Sequence, residues 1–205
     1  GAAVSRLKTV IGDASADLIN VTGGTLKTLA DVNVTFVNGG FGSGNYDILT
    51  FDLANAGNVL TGNFAVAGTY GHTVITLNND ELGASFWKTT GKLTASVTKA
   101  QMIWVGDGAA NDVDGSTANF KLSTTSAADS LLTGDELVFD DTSSNRTVNL
   151  AAGSPALGKV TVSTDLGYTI AGSGALAGET AQLLKTGTGT LTLGGANTFG
   201  GGVYI

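Results

Sequence analysis

Cysteine is absent from this 205-residue chain, and proline, histidine and methionine each occur once. Without cysteine there is no disulfide framework, no thiolate metal site and no thiol nucleophile. The one histidine, His72, lies in Tyr70-Gly71-His72-Thr73-Val74. It is the only imidazole base a Ser-His-Asp triad has available, and no G-x-S-x-G elbow leads into a helix. The plain expectation is a turn or strand-edge histidine facing solvent, in a protein that is not an enzyme. Basic residues are also scarce, 10 Lys and Arg against 17 Asp and Glu, for a net charge of −7. They form no stripe, which argues against nucleic acid as a partner. No apolar run reaches the roughly 18 residues of a membrane helix, so no membrane insertion is expected. Gly1-Ala2-Ala3-Val4-Ser5 has neither the basic n-region nor the apolar h-region of a signal peptide. The expectation is that a leader has been removed or that the chain is cut from something longer. Helix-forming periodic runs of Ala, Leu, Glu and Lys are missing as well.

What the chain has in quantity is glycine, 31 residues, set among threonine, valine and alanine. That composition favours short strands and tight turns. The C-terminal stretch from Lys185 to Ile205 shows the pattern best. Leu191 and Leu193 alternate with threonines, the period of a strand with one apolar face. Glycines and Asn197 flank them, so the chain must turn immediately on both sides. Strands this short need a similar neighbour above and below. Upstream, Val148, Ile170 and Leu191 recur at nearly even intervals, and Val138, Val160 and Leu184 form a parallel series. An interval of roughly 20–25 residues is the spacing of a β-solenoid coil. The fold class is therefore all-β, a β-solenoid or β-helix-like stack of short strands with a middle section that reads as β-sandwich-like.

The segment Lys185-Thr186-Gly187-Thr188-Gly189-Thr190-Leu191-Thr192-Leu193-Gly194-Gly195-Ala196-Asn197-Thr198-Phe199-Gly200-Gly201-Gly202-Val203-Tyr204-Ile205 resembles the autotransporter-associated β-strand repeat, also called the passenger-associated transport repeat. That pattern runs K-x-G-x-G-T-L-x-L-x-G-x-N-T-[YF]-x-G-G-x-x-I. The resemblance implies a bacterial surface or passenger protein, located extracellularly or at the cell surface, with Gly189, Leu191, Leu193 and Asn197 on the repeat ladder. Tyr46-Asp47-Ile48-Leu49-Thr50-Phe51-Asp52 is similar to the section that closes a repeat cluster in such proteins. Trp104-Val105-Gly106 and Leu132 to Asp140 are similar to the entrance of one. Three blocks follow: 1–40, strand coils continuing a preceding repeat; 41–103, a Gly/Asn-linked β-section closing a cluster; and 104–205, a repeat cluster ending in the repeat itself. Gly1 to Leu7 reads like the continuation missing after Ile205. The chain is thus expected to be one period of a tandem array, or a subunit whose end docks on the next start.

Candidate sites are few. Asp107, Asp112 and Asp114, with Asn111, sit on a glycine-containing loop and offer the hard oxygens calcium prefers, so calcium is the one candidate cofactor. The loop has neither EF-hand spacing nor the RTX nonapeptide. Asp135, Glu136, Asp140 and Asp141 straddle a strand whose Leu137 and Phe139 are expected to point inward, and read as surface charge or a weak cation site. Tyr46, Phe51, Phe64, Tyr70, Phe86 and Trp87 offer either a sugar-stacking face or β-core filling. Three sequons, at Asn20, Asn33 and Asn145, arise readily in a threonine-rich chain. Uncapped solenoid ends pair with other strands, which places the assembly interface at Val4 and Leu7 at one end and Val203, Tyr204 and Ile205 at the other. The expected function is a structural segment of an extracellular filament, stalk or adhesin shaft, with copies of itself as partners. The rival readings are an adhesin that recognises glycan or a host surface, and a passenger with hydrolytic activity.

Overall fold

The computed structural model describes residues 5–9, 18–22, 25–28, 32–36, 43–78 and 86–205. They are almost all strand and turn, and they fall into two compact units, 1–68 with 74–99, and 69–73 with 100–205. Val4 lies outside the described residues.

The first unit is built from parallel rungs. Strands β1 (Ser5–Thr9), β4 (Val32–Phe36) and β7 (Phe64–Ala67) form one sheet. Ser5 pairs with Val32, and Val32 with Phe64. β2 (Ile19–Val21) pairs with β5 (Gly44–Phe51), and β3 (Lys27–Thr28) with β6 (Val59–Leu60), both in parallel. Three of these ladders join strands on either side of residue 40, so the expected break there is bridged by backbone hydrogen bonds. The sheet holding β5 is extended by two antiparallel strands, β9 (Lys92–Thr98) beside β5 and β8 (Val74–Leu77) beside β9.

Between those two strands lies a short helix, α1 (Phe86–Thr90), although the sequence has no helix-forming periodic run. Its Trp87 is fully buried and meets Phe64 and Phe51 edge-on, with ring centroids 4.9 and 5.8 Å apart. A single aromatic that must reach two strands at once overrides a local strand preference. These three rings fill core rather than form an exposed stacking face.

The second unit is the more regular one. One sheet runs through β13 (Ala128–Asp129), β12 (Phe120–Leu122), β10 (Met102–Trp104), β14 (Glu136–Asp140), β16 (Lys159–Ser163), β19 (Gln182–Thr186) and β22 (Val203–Tyr204). A second runs through β11 (Asp112–Val113), β15 (Thr147–Leu150), β17 (Tyr168–Gly172) and β20 (Leu191–Leu193). β18 (Ala177–Gly178) and β21 (Thr198–Phe199) form a third side. All pairings from β14 onward are parallel, and only β12 and β13 are antiparallel additions.

The register refines the sequence spacing. Leu137, Val160 and Leu183 stack inward on successive rungs, and Val138 pairs with Thr161 rather than Val160. Ile170 faces Leu193, while Leu191 faces Tyr168. A shift of one residue in a strand moves a side chain to the opposite face, so Val138, Val160 and Leu184 do not share a face. Inside the stack, Trp104, Phe139 and Tyr168 follow one another at 5.8 and 5.6 Å. Their polar atoms are satisfied at the rim: Trp104 Nε1 donates to Asn145 O at 2.6 Å, and Tyr168 OH to Asp140 O at 2.7 Å. Burial and the charge of Asp140 push the Tyr168 phenol upward from its usual range.

Corners decide whether rungs can sit at strand spacing. A Cβ on Gly189 would fall inside the carbonyl oxygen of Leu166 on the preceding rung. Gly187 faces the Thr164 carbonyl in the same way, at a positive φ of 77°. Gly167 has ordinary room, its Cβ position 3.6 Å from Thr190 O. Gly189→Ala should therefore lower stability by about 2 kcal/mol or more, the magnitude of overpacking. Gly167→Ala should leave the urea midpoint nearly unchanged. Equal midpoints for the two variants would contradict corner packing.

Candidate functional site

The feature that sets one end of the second unit apart is its last rung. β20, β21 and β22 are each the terminal strand of their sheet, so one side of each backbone lacks a neighbouring strand. Leu191, Leu193 and Phe199 pack against the buried core from below but are only half-covered. Val203 is 52% exposed, Tyr204 53% and Ile205 fully so. With Leu183 and Lys185, all of these except Tyr204 line an open hollow of about 700 Å³. Of the expected interface residues, Val203 and Ile205 thus border one concave surface, and Tyr204 stands on the same strand as Val203. Leu7 lies on β1 opposite Val34 in the first unit. The ladder residues Gly189, Leu191 and Leu193 line the same hollow.

Asn197 has a more specific task than its place in a turn suggested. Its Oδ1 accepts from Leu176 N of the preceding rung at 2.8 Å, and its Nδ2 donates to Gly194 O at 3.0 Å. One residue on, Thr198 N donates to Leu176 O. Asn58 repeats the device in the first unit. It accepts from Leu26 N at 2.7 Å, donates to Asp52 O at 2.9 Å, and Val59 N donates to Leu26 O. Each asparagine satisfies a rung corner whose backbone groups no strand reaches. The sequence signal was present in Asn58-Val59-Leu60-Thr61-Gly62 and Asn197-Thr198-Phe199-Gly200-Gly201. The two segments lie near opposite ends of the chain, so a search at the coil period does not bring them together.

Aspartates serve the opposite corner. The Asp141 carboxylate accepts from the Thr164 hydroxyl, from Asp165 N at 2.9 Å and from Leu166 N. Asp165 does the same for Thr188 N and its hydroxyl one rung later, at 2.8 and 3.0 Å. The Thr164 hydroxyl above all, and then the Asp165 amide, hold the Asp141 carboxyl below the usual carboxylate range.

The acidic loop does not converge. Asp107 accepts from Ala109 N and Asn111 N, and those amides depress its pKa. Asp114 accepts from Thr117 N, Ser116 N and the Thr117 hydroxyl; burial raises its pKa, but these donors outweigh burial and lower it on balance. Asp112 accepts from Asn149 Nδ2. Among the described residues no three carboxylates or histidines are gathered around a point that holds a metal ion, this trio included.

Asp135 and Glu136 are not surface charge: they are 1% and 5% exposed. Asp135 accepts from Leu132 N at 2.7 Å and His72 N at 2.8 Å, and both its oxygens lie 3.0 Å from His72 Nδ1. His72 Nε2 lies 3.4 Å from Asp129. The histidine is in a turn, as expected, but its ring is mostly buried, with both nitrogens committed to carboxylates. It clasps residues 69–73 onto the rest of the second unit. Neighbours in the sequence were the wrong guide here, because the partners lie far along the chain, Asp129 on β13 and Asp135 just before β14.

No family model matches this chain, and no curated protein or solved structure is significantly similar to it.

Asp141 is easier to ionise in the folded chain than unfolded, so its stabilisation is complete above about pH 4, the unfolded carboxyl range, and is lost as pH falls through its lowered folded value. Asp141→Asn should reduce the drop in urea midpoint between pH 5 and pH 2.5, and an unaltered drop would contradict its role. His72→Ala leaves a buried carboxylate short of donors and should lower stability by about 1–3 kcal/mol, read from thermal unfolding.

Proposed function

We propose that this chain is a structural segment of an extracellular filament, stalk or adhesin shaft, in which copies join end to end by β-strand pairing. The observation that carries the reading is the open last rung, where three strand edges and an apolar hollow continuous with the core meet at one surface. Strand addition would satisfy the backbone groups of those edges. It would also bury apolar side chains, each contributing about 1.5–3 kcal/mol on passing from exposed to fully buried. Ile205 would gain most. The opposite end of the second unit's largest sheet finishes differently, in antiparallel strands β12 and β13. A contact between unlike ends is heterologous and grows into an open filament instead of closing as a dimer.

The resemblance of Lys185–Ile205 to the autotransporter-associated repeat supports a bacterial surface location and a passenger-like setting. The paucity of catalytic groups is in keeping with a mechanical role.

Sedimentation velocity over a rising concentration series, with negative-stain microscopy of the same samples, tests the reading. The wild-type chain should form progressively longer species. Ile205→Asp places a charge in the apolar contact and should shorten them markedly. A wild-type chain that stays monomeric throughout, or fibres of unchanged length in the variant, would count against assembly at this end.

A further inference from the structure

Histidine is the side chain that ordinarily changes charge between about pH 5 and 8, and this chain has one, with no cysteine beside it. His72 belongs to residues 69–73, a strap between β7 and β8 that packs with the second unit. The strap lies so close to the turn at 132–135 that a Cβ on Gly71 would overlap the Asp135 carboxylate. Gly71 N donates to Thr133 O at 3.0 Å. Two acids meet the imidazole at its two nitrogens. Asp135, its side chain wholly buried, lies at Nδ1, and Asp129 on β13, its side chain 45% exposed, lies at Nε2. Among the described residues no Lys or Arg stands within 4.0 Å of either carboxylate; the one other ion pair there is Lys92 with Asp47. Glu136, next in the chain, has its carboxylate near Gln101 Nε2 instead.

A neutral imidazole has one N–H and one lone pair, and an ionised carboxylate can only accept. With a carboxylate at each nitrogen, the neutral ring serves one acid and turns its lone pair on the other. The imidazolium serves both, and its charge offsets that of Asp135, which no solvent reaches. We propose that His72 is a pH-sensitive latch: as the imidazolium it ties the 69–73 strap to β13 and to Asp135, and on losing its proton it lets the strap open. The tie is complete while the ring is protonated and is lost as pH rises through deprotonation. Asp129 is the contact that gives way, because a neutral ring keeps its proton at Nδ1 for the buried acceptor. β13 has two residues and ends its sheet, so few backbone bonds hold it in place. Local opening of such a segment leaves the rest of a stack folded. The latch lies at the far side of the sheet from β22 and works whether or not copies join.

Amide hydrogen exchange of the whole chain tests the latch at about pH 5.5 and about pH 8.5, values that bracket the histidine range, with rates corrected for the intrinsic effect of pH. The reporting amides are those of Gly71 and His72, which donate to Thr133 O and to Asp135. In the wild type their protection should fall by about fivefold or more on raising the pH, the ratio between a charge-assisted and a neutral contact. The fall should share its midpoint with the loss of the ring proton followed by NMR of the ring nitrogens. His72→Gln keeps a donor for Asp135 but takes no charge, so its protection should be equal at the two pH values. Asp129→Asn removes only the outer, half-exposed acid and should shrink the fall to about twofold or less; it serves if His72→Gln fails to fold. Wild-type protection that is the same at both pH values, or a fall as large in either variant, would overturn the latch.

Discussion

Everything in the second unit depends on parallel backbone hydrogen bonding between successive rungs. Strands this short have too few bonds to persist alone, and they exist here because each lies between neighbours in register. The ladders fix which residues face inward, and the inward residues then form continuous columns: Leu137, Val160 and Leu183 on one side, Trp104, Phe139 and Tyr168 through the middle. Stability is thus shared out along the stack, each rung owing most of its contacts to the one before and the one after.

Strand spacing imposes a second demand, at the corners. Where the chain changes face, no ladder satisfies its amides and carbonyls, and the backbones of adjacent rungs come close together. Glycine answers the second difficulty at Gly187 and Gly189. Short polar side chains answer the first: Asp141 and Asp165 accept from the turn that follows them, Asn58 and Asn197 from the rung that precedes them. The two kinds of clamp work in opposite directions along the stack. A rung is therefore held from both sides by side chains only a few atoms long.

The same logic gives the open end its character. A rung with a successor hides its strand edges and its apolar columns. The rung of β20, β21 and β22 presents both. The half-buried Leu191, Leu193 and Phe199 continue the ordinary core pattern of the rungs before them.

The sequence by itself determined the all-β class, the positions of most strands and the approximate coil length, because alternation and glycine punctuation are local properties. Leu191 and Leu193, and Val148 and Ile170, were legible in that way. Register was not, since a pairing depends on both strands at once and a one-residue error reverses the face, as it did for Val160 and Leu184. Nor was the clasp of His72 on Asp135, the helical turn that delivers Trp87 to Phe51 and Phe64, or the shared duty of Asn58 and Asn197. Each of these joins residues distant in the chain, and only tertiary structure brings such groups within hydrogen-bonding or contact range.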